Sequence, residues 1–229
     1  MSLKENLKSI SDQIRSIEDG VAKGHKVKLI AVTKTQDIQT INKAYNCGVT
    51  SIGENRVQEA ESKFEGFEKM PGLEKRFIGH LQSNKVNKCL EYFDTIDSID
   101  SLKLAKKVST ASKLRGKKTP VLLEINTTRE SQKNGFQDEQ FDEVSACFDE
   151  PGLMINGLMT VGPNTKDITK IRKSFISLRN LKNKINDSVQ GARLIELSMG
   201  MSGDFEIAVE EGSTMIRLGT ALYGKRGKL

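Results

Sequence analysis

The 229-residue chain has no tryptophan, only two histidines, three cysteines and four prolines, and its aromatic residues reach just 5%. Each scarcity excludes something. Cys47, Cys89 and Cys147 are odd in number and far apart, which argues against a disulfide framework or a zinc site and fits a reducing compartment. Two histidines, His25 and His80, are too few for a multi-histidine centre, and no metal is expected. No apolar run approaches the roughly 18–20 residues that cross a bilayer. The opening Met1-Ser2-Leu3-Lys4-Glu5 lacks the apolar core of a secretory signal, so a cytoplasmic protein without membrane partners is expected. There is no Pro/Ser linker, low-complexity tract or repeat, and residues 1–229 read as one domain.

Charge gives a weaker signal. The net charge is +6. Lys103, Lys106, Lys107, Lys113, Arg115, Lys117 and Lys118 follow one helix and its exit loop, a pattern that reads as a solvated face rather than a nucleic-acid footprint.

Periodicity alternates short β runs with amphipathic helices. Leu7, Ile10, Ile14 and Ile17 mark an opening helix over Leu3–Asp19, with Gly20 and Gly24 at its exit. Eight strands are predicted at Val27–Thr33, Ser51–Gly53, Arg76–Gly79, Thr95–Asp97, Val121–Asn126, Met154–Thr160, Leu194–Leu197 and Met215–Arg217. Helices are predicted near Ile38–Cys47, Arg56–Phe67, Lys85–Tyr92, Ser101–Leu114, Glu139–Asp149, Ile168–Ile185 and Phe205–Glu211. This order favours an α/β fold with parallel strands, closed as a (β/α)8 barrel with an extra N-terminal helix. In that architecture chemistry gathers at the C-terminal strand ends. Lys34, Gly53-Glu54-Asn55, the segment Gly79–Lys85, Asn126, Thr160, the segment Ser198–Gly203 and Arg217–Thr220 all fall there.

Lys34 follows the apolar run Val27–Thr33. A strand-end lysine is ordinarily a solvated, protonated terminus. At the mouth of a buried strand an amine loses its proton more readily and can attack a carbonyl to form a Schiff base. The loop Ser198–Asp204 and the turn Arg217-Leu218-Gly219-Thr220-Ala221 offer small residues, backbone amides, a hydroxyl and a guanidinium. Two such turns on adjacent strands suit a phosphate. Amine and phosphate cup together suggest pyridoxal phosphate. A lysine-dependent aldolase acting on a phosphorylated sugar uses similar parts, and a basic nucleic-acid binder is a further alternative.

Several motifs carry a resemblance. Ala31-Val32-Thr33-Lys34, the segment Ile52–Glu59 (IGENRVQE), the segment Phe77–Lys85 (FIGHLQSNK), Gly157-Leu158-Met159-Thr160, the segment Leu197–Ser202 and the segment Ile216–Gly224 resemble the pyridoxal phosphate homeostasis protein family (YggS-like, or proline synthase co-transcribed). The likeness runs from about residue 5 to 226. It implies a barrel like the N-terminal domain of fold-type III alanine racemase and a Schiff base to Lys34. It also implies phosphate contacts at Ser198, Met199, Gly200, Arg217, Gly219 and Thr220, with Asn55 near the cofactor. His80 matches a position where members differ. Racemases of this type add a C-terminal β-domain whose tyrosine acts across a dimer as second base, and this sequence runs to Leu229 without one. The resemblance therefore implies a monomeric holder or donor of pyridoxal 5′-phosphate in its homeostasis, with apo pyridoxal enzymes as recipients. A weak amino-acid racemase is the alternative.

Three more residues bear on that choice. Tyr223 reads as packing, and Lys133 as an exposed loop lysine or a contact to a second phosphate. Glu124 sits within a strand whose alternation leaves its face open.

Overall fold

The computed structural model describes residues 2–20, 26–64, 70–137 and 139–224. Eight parallel strands close in sequential order: β1 (Lys28–Val32), β2 (Ser51–Glu54), β3 (Glu74–Phe77), β4 (Thr95–Ile99), β5 (Thr119–Glu124), β6 (Leu153–Met159), β7 (Glu196–Ser198) and β8 (Met215–Leu218). β8 returns to β1 in a four-residue register, Lys28↔Met215 through Ala31↔Leu218. β7 and β8 share one register pair, Ser198↔Met215. Around that joint the Thr214 amide donates to the Leu197 carbonyl, the Met199 amide donates to Met215, and Ser213 Oγ donates to Met199.

The helices are α1 (Leu3–Gly20), α2 (Ile38–Asn46), α3 (Val57–Phe64), α4 (Val86–Tyr92), α5 (Leu102–Leu114), α6 (Phe141–Ala146), α7 (Ile168–Ser188), α8 (Phe205–Glu210) and the single turn α9 (Thr220–Tyr223). The expected barrel is present, and its element order matches the sequence reading. Boundaries moved where local signals were weak. The helix expected over Glu139–Asp149 is α6 followed by a 3-10 turn at Cys147–Asp149. Gly24 and the last three positions of the helix expected to reach Phe67 lie outside the described residues. α5 starts where the Ser101 hydroxyl accepts from the Leu104 amide, and α2 where Asp37 accepts from Thr40. Such caps satisfy the first unpaired amides of a helix.

The N-terminal helix is structural. Ile10 and Ile14 are buried in one cluster with Phe205 and Val209 of α8, Leu222 of α9, and Ile41 and Ala44 of α2. It covers the wall beside α9, which is too short to do so alone. The basic residues of α5 and its exit lie exposed, as expected, and Leu114 beside them is 85% exposed. No helix among the described residues is long and apolar enough to cross a membrane.

The barrel interior is layered. Ile30, Leu122, Met159 and Met215 form a small apolar layer. On one side of it Arg76 makes a two-point pair with Asp97 (2.8 and 3.0 Å) and a 2.7 Å contact to Glu74. Toward the mouth, Glu124 and Arg217 lie two residues beyond Leu122 and Met215 on the same inward faces, because strand side chains alternate. This places Glu124 inside the barrel.

Candidate functional site

The C-terminal strand ends open onto a cavity of about 450 Å³. Five sequence-predicted residues line it: Lys34, Asn55, Arg217, Gly219 and Thr220. Met201, Ser202 and Gly203 complete the side beyond β7, and Tyr223 projects from α9. The first amides of a helix have no intrahelical partner. The segments leading into α8 and α9 therefore bring a concave group of backbone donors to the wall that Gly203, Gly219 and Thr220 form, opposite in chemistry to the Lys34 amine. Ser202 Oγ accepts from the Ala221 amide (3.0 Å), tying the two turns together.

The other predicted site residues stand elsewhere. Ser198 and Met199 are fully buried behind this wall. Ser198 Oγ accepts from Arg217 Nη1 at 2.7 Å, and the Met199 amide donates to Met215. Gly200 adopts φ +98°, and a Cβ there would approach the Ala208 Cβ to 2.6 Å, so the chain turns where only glycine packs. Its carbonyl accepts from the Arg217 amide. These three residues shape the cup from behind, and the residues facing the cavity begin at Met201. His80 faces a neighbouring cleft with Arg56 and Leu81, its Nδ1 2.8 Å from Asp100 Oδ2. Lys133 is held by Glu130 at 2.8 Å and donates to the Gly162 carbonyl at 2.8 Å, so its amine is occupied away from the cavity.

Arg217 was expected as part of a phosphate turn. It lies on β8 with 5% exposure, and its second guanidinium nitrogen donates to the Thr160 carbonyl at 2.7 Å. Burial lowers its proton affinity, against the carboxylates of Asp97, Glu124 and Asp204. Glu124 has 8% exposure. Burial, then the charge of Asp100, pushes its carboxyl up to about 7, against Arg217 and His80.

Lys34 is half-buried, and both of its neighbours are tied down. The Thr33 hydroxyl donates to Glu54 Oε1 at 2.7 Å, and the Thr33 carbonyl accepts from Lys63 Nζ at 2.9 Å. On the other side, the Thr35 amide donates to Glu59 Oε1 at 2.5 Å. Thr35 has φ +66°, a left-handed conformation that costs a β-branched residue about 1–2 kcal/mol. Sequence reasoning quoted Glu54 and Glu59 only within a motif and missed Lys63. The sole readable hint was the i,i+4 spacing of Glu59 and Lys63 on α3.

Tyr223 packs against the cluster around α1 and α9, as read from the sequence, and also lines the cavity. Its hydroxyl is buried at the cavity wall without a hydrogen-bond partner among the described residues. Burial, and then the Glu54 charge, hold the phenol well above its ordinary range, so it keeps its proton.

The family model of the alanine racemase N-terminal domain matches residues 6–227. The pyridoxal phosphate homeostasis protein of Vibrio alginolyticus is 37% identical over 230 residues, covering 98% of each chain. The chain belongs to this family. The homeostasis protein of Aquifex aeolicus is 35% identical over 99% of both chains. Among solved structures, a protein of unknown function from Bifidobacterium adolescentis superposes with a TM-score of 0.90 at 37% identity, over 96% of this chain and 94% of that one. PipY of Synechococcus elongatus PCC7942, solved with pyridoxal phosphate bound, has a TM-score of 0.87 at 33% identity, over 97% of this chain and 100% of its own. Alanine racemase of Clostridium difficile, at 18% identity and TM-score 0.75, shares the fold over 98% of this chain and 61% of its own.

Proposed function

We propose that this family member binds pyridoxal 5′-phosphate and serves in its homeostasis, with Lys34 as the anchoring amine. The observation that carries the reading is one cavity lined by Lys34 from the end of β1 and by Ser202, Gly203, Gly219 and Thr220 from the turns after β7 and β8. The residues present fit the group. Backbone donors suit a phosphate dianion, and the buried Tyr223 hydroxyl offers a donor without a partner among the described residues. When bound, the cofactor supplies an aldehyde that condenses reversibly with an amine to a Schiff base.

The protein's own groups then divide as follows. Lys34 supplies the amine. The amides of Gly203, Gly219 and Thr220 hold the phosphate, and Asn55 borders the ring. Ser198, Met199 and Gly200 support the cup from behind, Ser198 by fixing the Arg217 guanidinium. His80 lies outside this set.

The arrangement favours holding over turnover. Racemisation needs proton transfer on both faces of one carbon. Besides Lys34, the cavity-lining phenol is Tyr223, and it keeps its proton too firmly to act as a base near neutrality. No carboxylate lines the cavity among the described residues, whose ionisable lining groups besides Tyr223 are the basic side chains of Lys34 and Arg217. Among the described lining residues there is no acid that would strengthen a bound cofactor's ring nitrogen as an electron sink. We therefore read the protein as a cytoplasmic, monomeric, single-domain carrier without robust catalysis, serving apo pyridoxal enzymes.

The near-visible absorption spectrum before and after borohydride tests this. A band on adding the cofactor, bleached by reduction and mapped to Lys34 by mass spectrometry, is expected, with Lys34→Ala giving no band. A protein that stays colourless overturns the reading. Rapid, stereospecific turnover of alanine that requires Lys34 would restore the racemase alternative.

A further inference from the structure

We propose that Lys63 is a positioning residue for Lys34, acting through Glu54, Glu59 and the Thr33 carbonyl; this rests on Lys34 being the cofactor's anchor. Lys63 comes from α3, on a different βα unit from Lys34, and its side chain is only 12% exposed. Its ammonium reaches three acceptors: Glu54 Oε1 at 2.9 Å, Glu59 Oε1 at 2.7 Å and the Thr33 carbonyl at 2.9 Å. Three donors on one nitrogen are thereby fully used.

Each acceptor leads to the backbone beside Lys34. Glu54 Oε1 also accepts from the Thr33 hydroxyl, and Glu59 Oε1 also accepts from the Thr35 amide. The residue before the anchor and the residue after it are thus tied to the same cation. Thr35 keeps its left-handed conformation with its amide on Glu59. Lys34 is left with side-chain freedom on a fixed base, which is what efficient attack on an aldehyde requires.

The cluster also depends on Lys63 electrically. Glu54 is fully buried and its second oxygen has no partner among the described residues. Burial raises its proton affinity, and the Lys63 hydrogen bond is the largest opposing influence, ahead of Thr33. Removing the ammonium would leave two carboxylates beside the anchor's backbone with nothing holding them together.

The test uses the purified full chain and pyridoxal 5′-phosphate, comparing wild type, Lys63→Met and Lys63→Arg. Stopped-flow absorbance gives the rate at which the near-visible band forms. A spectroscopic pH titration gives its midpoint, and thermal melting without cofactor gives stability. Lys63→Met is expected to slow band formation about tenfold. It should also move the midpoint upward by about half a pH unit, because a cation is lost and two carboxylates remain. Lys63→Arg should recover most of both. Wild-type rate and midpoint in Lys63→Met, whatever its melting temperature, overturn the inference. Should Lys63→Met not fold, Glu59→Ala removes the acceptor shared by the Thr35 amide and Lys63 and is expected to slow the band about threefold; an unchanged rate there overturns it equally. A wild-type protein that forms no band removes the pyridoxal reading itself, a result distinct from an insensitive variant.

Discussion

Replacing Glu124 by Gln keeps the side chain's shape and removes its ionisation, so it isolates the cost of a carboxylate inside the barrel. In the folded protein this carboxyl is pushed up to about 7 from an ordinary 4.5. Below pH 4.5 both folded and unfolded chains carry the proton. Between 4.5 and 7 only the folded chain keeps it, so unfolding releases a proton and stability falls as pH rises. Above 7 the loss is complete. At 1.36 kcal/mol per pH unit, the difference corresponds to about 3 kcal/mol. The Gln variant should match wild type near pH 5 and exceed it by about 1–3 kcal/mol at pH 8. Denaturant unfolding across that range measures both. Parallel pH profiles for the two proteins, or a variant less stable at pH 8, would refute the reasoning.

Other substitutions test the frame and the cavity wall. A Cβ at Gly79 would lie 2.3 Å from the Asn55 carbonyl oxygen and 2.7 Å from its Cα, backbone that cannot swing away. Gly79→Ala should therefore cost at least about 2 kcal/mol in unfolding free energy and weaken cofactor binding through Asn55. Arg76→Leu strands the fully buried Asp97 and should cost about 3–5 kcal/mol, seen as a lowered denaturant midpoint. Tyr223→Phe deletes a hydroxyl without a partner among the described residues, so the cofactor-free protein should melt no earlier than wild type. Weaker equilibrium binding of pyridoxal phosphate by the same variant would identify the hydroxyl as a ligand contact.

The barrel was legible because alternating β runs and amphipathic helices have few closed solutions, and the eight strands came in the expected order. Strand ends were less so. β4 continues two residues past Asp97 to Ile99 because both of its faces are buried, which erases the alternation that marks an edge. The place of Lys34 on the cavity wall was readable from its position after an apolar strand. Ser198 and Met199, read as phosphate contacts, sit in the β7 joint, and the residues that line the cavity on this side follow the Gly200 turn. The Lys63 cluster was not readable, since its bonds to β1 depend on how α3 packs against the barrel. Glu124 needed the barrel's register to acquire a face.

The short joint between β7 and β8 gives the molecule an uneven mechanical design. Elsewhere the wall is stitched by longer ladders, but here one register pair is supplemented by the Met199 and Thr214 amides and by the side chains of Ser213 and Thr214. The turns that line the cavity opposite Lys34 leave directly from this joint, so native-state hydrogen exchange at the Met199 and Thr214 amides reports how firmly that wall is held.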